Sequence, residues 1–209
     1  MDTKSLKSWF LIIGPLMVLI SFIFWPTVDT ATEELLELSK NPLQSQIIMS
    51  LFVLGMILIF TGLSMASKII SEIKSSFSGL ATASTIIFPM IIPAILTGVG
   101  INMAAVDLYE KSEENANSIY LVAYYMVDGV QFAMFLGFLL LGISMIKAFE
   151  NTTGKILAVL YILVGIFHLI GAFDPNAAEA VDFIAWLGMF LVTLAFGVIA
   201  LLGKLSARD

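Results

Sequence analysis

Six stretches of the 209-residue chain, at about 9–25, 47–67, 81–105, 119–146, 156–173 and 182–203, are almost unbroken apolar runs, and the segments between them carry nearly all the charge. A helix crossing a hydrocarbon core about 30 Å thick needs about 20 such residues, because backbone polar groups in lipid must be satisfied within the helix itself. The pattern predicts an all-α fold, a bundle of six transmembrane helices. No Pro/Ser-rich linker or low-complexity stretch divides the runs, so residues 1–209 read as a single six-span domain. The opening MDTKSLKSWF has the charge order of a signal peptide. The run after it ends in Trp25-Pro26 without a small-residue cleavage pattern, and it reads as a retained first span.

The polar segments alternate in sign. Lys4, Lys7, Lys68, Lys74, Lys147, Lys155, Lys204 and Arg208, eight of the ten basic residues, fall at one end of the spans, and only Lys40 and Lys111 at the other. Lys and Arg in short loops accumulate on the cytoplasmic side, which predicts cytoplasmic N- and C-termini and a multi-pass protein of the cytoplasmic membrane. Eleven of the sixteen acids occupy the opposite face, in loops that open on Asp29, Asp107 and Asp174. Such acids either solvate the outer face or concentrate cations there; no calcium-loop spacing accompanies them. In the first outer loop, TATEELLELSKNP, Thr30-x-x-Glu33 has the form of a capping box ahead of Leu35, Leu36 and Leu38. This predicts a short interfacial helix ending near Pro42.

Composition agrees and excludes. The chain is 59% hydrophobic and 12% charged, against about a quarter charged in soluble domains. With no cysteine and one histidine, His168, it lacks thiolate ligands, disulfides and bis-His haem ligation. Neither a metal nor another cofactor is expected. There is no phosphate-binding loop, HExxH, G-x-S-x-G or nucleic-acid footprint, so the reading is non-enzymatic, with no nucleic-acid partner.

Polar residues inside the spans mark candidate chemistry. In YLVAYYMVDGVQ, Tyr120, Tyr124, Asp128 and Gln131 share one helical face. A charge at the centre of a membrane helix costs about 2.5–3.5 kcal/mol, so that face is expected to look into the bundle, in its outer half. His168 lies near the outer end of the fifth span, either as a hydrogen-bonded structural group or as a ligand or proton group. The short turn before that span makes spans four and five antiparallel neighbours. Pro89 and Pro93 in the third span each remove a backbone hydrogen bond and crowd the carbonyl four residues earlier. They are expected to kink or locally open the helix, either as a structural bend or as the broken helix of a binding site. Ala94, Gly98 and Asn102 form a small-residue stripe suited to close approach of another helix. The candidate ligand or proton site is Asp128, Gln131, His168, Tyr124 and Asn102. The inner half offers hydroxyls such as Thr61, Ser64, Ser84 and Thr85.

Across the fourth-to-fifth hairpin, SMIKAFENTTGKILAVLYILVGIFHLIGAF, about 30 residues with a basic, Gly-containing inner turn, the chain resembles small six-helix prokaryotic integral membrane proteins classified only as a domain of unknown function. The resemblance implies the same six-helix topology and no activity.

The sequence therefore points to small-molecule or proton-coupled transport, or ligand sensing, through an outer-half polar pocket. The alternative is a non-catalytic accessory subunit of a larger membrane complex, with a lipid-acting enzyme as a third reading. Expected partners are the lipid bilayer and either further copies of the chain or a larger membrane complex.

Overall fold

A computed structural model describes residues 3–73, 75–173 and 178–205. Among them the secondary structure is helical: α1 (Thr3–Ile23), α2 (Ala31–Ser39), α3 (Pro42–Glu72), α4 (Ser78–Leu108), α5 (Glu113–Ala148), α6 (Thr152–Phe173) and α7 (Ala178–Leu201). Six of these, all but α2, are long and apolar enough to cross a membrane. The helices outrun the apolar runs that predict them. α5 has 36 residues, about 54 Å at 1.5 Å per residue, because the polar segment Glu113–Ser118 is its first turns. An apolar run measures what lipid tolerates; it does not mark where the backbone leaves the helix.

The segment between α1 and α3 holds a short helix, α2, where the capping-box pattern predicts one. Thr30 caps α2, its Oγ1 accepting a hydrogen bond from the Glu33 backbone N–H at 3.2 Å. Asn41 caps α3 in the same way through the Gln44 N–H, with Pro42 at the first helical position, where its missing N–H costs nothing. The Ser45 hydroxyl donates to the Leu38 carbonyl at 2.6 Å, satisfying a C-terminal group of α2 and tying it to α3. Leu35 and Leu38 are buried in a small cluster with Met49, Val99, Val106 and Tyr120, so α2 is seated on α3, α4 and α5.

The long helices are arranged in chain order. α1 packs on α3, then α3 on α4, α4 on α5, α5 on α6 and α6 on α7, and α7 returns to α1. The result is a closed ring, in which the expected pairing of spans four and five is the α5–α6 contact. Lipid gives little hydrophobic drive between helices, so close van der Waals approach must hold the ring. Two places show how. A Cβ on Gly55 of α3 would lie 2.7 Å from the Gly14 carbonyl oxygen of α1, and one on Gly142 of α5 would lie 2.7 Å from the Ala158 carbonyl oxygen of α6. Inside, Leu11, Phe60, Phe88, Phe138, Tyr161 and Phe196 belong to one continuous core.

α4 runs unbroken through Pro89 and Pro93, and both prolines are exposed. Neither opens the helix into a binding segment. Pro89 deprives the Thr85 carbonyl of its usual donor, and the Ser64 hydroxyl of α3 supplies another at 2.9 Å. Membrane hydrogen bonds of this kind average about 0.6 kcal/mol and reach about 1.7. Ser64→Ala is therefore expected to lower stability by that amount in a detergent-unfolding titration. In a Pro89→Ala background, where the backbone N–H is restored, the loss should shrink. Equal losses in the two backgrounds would show that the serine does not serve the proline.

Candidate functional site

A cavity of about 610 Å³ lies inside the ring at the end that carries α2. Every long helix except α6 contributes to it, together with residues 25–28 and α2. The space originates on α4. Ala94, Gly98 and Asn102 are stacked four residues apart on its inner face, and a Cβ built on Gly98 would meet nothing closer than the Ala123 carbonyl oxygen, at 3.9 Å. At Gly98 the stripe meets the backbone of α5, and the same residues border the cavity. Tighter approaches occur at the Gly14–Gly55 and Gly142–Ala158 crossings.

Aromatic rings form a continuous arc along one side. Trp25 packs on Phe52 with centroids 6.1 Å apart, Phe52 on Phe22 at 5.9 Å, Phe22 on Phe190 at 5.7 Å, and Phe190 on Trp186 at 6.1 Å. All five line the cavity. Tilted contacts of this type add about 0.5–1.5 kcal/mol each beyond the area they cover, which makes the arc a rigid wall.

The polar groups are few. Glu34 faces the cavity from α2 because it precedes Leu38 by four residues and so shares the seated side of that helix. Its Oε1 accepts a hydrogen bond from the Trp25 indole Nε1–H, and its carboxylate is also the hydrogen-bonding partner of the Tyr120 hydroxyl. Both partners are neutral donors. The salt bridges among the described residues are Lys40–Glu37 and Lys68–Glu72, so no cation there compensates Glu34. The Asn102 Oδ1 is buried and has no donor among the described residues. Tyr124, 49% exposed, lines the same space, its ring set edge-on to Tyr125.

Of the residues singled out from sequence, Asn102 and Tyr124 line this cavity. Gln131 is buried outside its lining. His168 is likewise buried outside it, with its ring stacked on Phe138 at 6.0 Å and edge-on to Trp186 at 5.4 Å. It supports the rear of the wall that Trp186 presents. Asp128 belongs to α5, and its side chain lies outside the described residues. Sequence reasoning missed Glu34, Trp25 and Trp186. The available signal was an acid on the apolar side of a short amphipathic helix. Among the described residues no three His, Asp or Glu side chains converge as a metal-ligand set.

No family model, curated protein or solved structure matches the chain.

Proposed function

We propose that this is a multi-pass protein of the cytoplasmic membrane that takes a small, mostly apolar molecule into the ring cavity, as the binding step of transport or sensing. The observation that carries this reading is the cavity itself, roomy, walled by packed rings and furnished with a few acceptors, which is the usual form of a small-molecule site. The charge asymmetry of the loops supports an orientation with the Lys-rich end in the cytoplasm. The cavity then faces the outside, and α2 lies at the outer interface. In this arrangement His168 stiffens the wall from behind Trp186, and neither it nor Gln131 touches the ligand.

The test fills the space. A phenylalanine at position 98 projects into the cavity, whereas Gly100 is exposed, with no atom near its missing Cβ. Binding of a neutral fluorescent aromatic amine, 1-aminoanthracene, to purified protein in nanodiscs is expected to be saturable in the wild type and to weaken by at least about tenfold in Gly98→Phe. Gly100→Phe should bind as the wild type does. A Gly98→Phe variant that melts normally and binds with undiminished affinity would refute the proposal.

A further inference from the structure

The charge and wall chemistry of the cavity select among ligands. Resting on the proposed small-molecule site, we infer that its ligand is a lipophilic cation: an apolar, ring-bearing or branched molecule with one positive charge. Three observations converge on this class. Glu34 contributes a negative charge whose partners, Trp25 and Tyr120, are neutral. The described lining residues include no Lys, Arg or His. The wall is made of the rings of Trp25, Phe52, Phe22 and Trp186, whose faces carry the negative part of the aromatic quadrupole and attract cations.

The remaining acceptor points the same way. Asn102 Oδ1 is buried with no donor, so a ligand N–H satisfies it and a ligand carboxylate does not. A carboxylate retains two oxygens able to accept about four hydrogen bonds, so Glu34 keeps its two neutral donors and still faces a cation. An anionic ligand of the same shape meets an uncompensated like charge in surroundings less polar than water, where repulsion is stronger. A zwitterion meets the attraction and the repulsion together, and a neutral lipid meets neither.

Tetraphenylphosphonium and tetraphenylborate share size and shape and differ in the sign of their charge. Each is titrated against protein-bound 1-aminoanthracene in nanodiscs, with partition into empty nanodiscs subtracted. The expected result is displacement by the phosphonium at a concentration at least about tenfold lower than by the borate, with the gap narrowing in Glu34→Gln when each ion is referred to that variant's own affinity for the probe. The comparison of the two ions on the wild type needs no variant, so it stands even if Glu34→Gln folds poorly. Equal displacement, preference for the borate, or phosphonium binding indifferent to Glu34→Gln would overturn the inference and leave the small-molecule site intact. Failure of the neutral probe and of both ions to bind would instead overturn the site.

Discussion

Phe138→Ala is expected to lower the stability of the protein by about 3 kcal/mol, the low end of the range for truncating a buried aromatic. The low end applies because lipid is as apolar as the core, so packing is lost but little transfer energy. Phe138 is fully buried at the meeting of three helices. Its ring stacks on Tyr161 of α6 at 5.6 Å and 8°, lies at 6.0 Å from His168 one face further out, and tilts against Phe88 of α4 at 5.4 Å. Removing it leaves a void bounded by rings that are themselves held elsewhere, Tyr161 by its 3.4 Å hydroxyl contact to Thr193 and His168 by Trp186. The site is therefore poorly able to collapse. Thermal melting in detergent measures the loss, and Phe138→Leu should recover a large part of it. A Phe138→Ala protein melting with the wild type would show that the stack contributes little.

Gly55→Leu is the second large effect, expected to cost about 1–3 kcal/mol or more through overpacking. The Cβ alone would sit 2.6 Å from Val18 Cγ2 and 2.7 Å from the Gly14 carbonyl oxygen. The second of these is backbone and cannot rotate away, so α1 must move off α3. Gly14→Leu meets the reciprocal obstacle, 2.8 Å from the Gly55 carbonyl oxygen, and should cost about as much. Because both changes force the same displacement, the double variant should be less destabilised than the sum of the two. Gly100→Leu, with open space at its Cβ, is the control. Additive losses, or a Gly55→Leu protein as stable as that control, would mean that this crossing does not hold the ring.

The six spans were legible because lipid imposes one requirement, a sufficiently long apolar run, that a sequence displays directly. The helix ends were less so, since polar turns such as Glu113–Ser118 remain helical beyond it. Asn102 and Tyr124 were found because a polar group inside an apolar run stands out. Glu34 did not stand out among the acids of its loop; only the seating of Leu35 and Leu38 turns that side of α2 toward the ring. Trp25 and Trp186 looked like ordinary membrane-compatible aromatics, and their convergence depends on which helices are neighbours. His168 and Gln131 stood out by their polarity, which does not tell whether a group lines the cavity; His168 packs on Trp186, and Gln131 is buried outside the lining. The small-residue stripe of α4 announced a neighbouring helix but not the space beside it, because absent side chains permit either.

The ring also orders its own assembly. Five of its six long-helix interfaces join helices consecutive among the spans, so each can form as soon as the second member of the pair has been made, with little loop-closure cost. The sixth, α7 on α1, reaches across nearly the whole chain. Because Phe183, Trp186 and Phe190 all come from α7, the wall of the cavity is the last part of the interior to be completed. A nascent or truncated chain lacking α7 can hold most of its helix pairs and still leave the cavity without the side that α7 supplies.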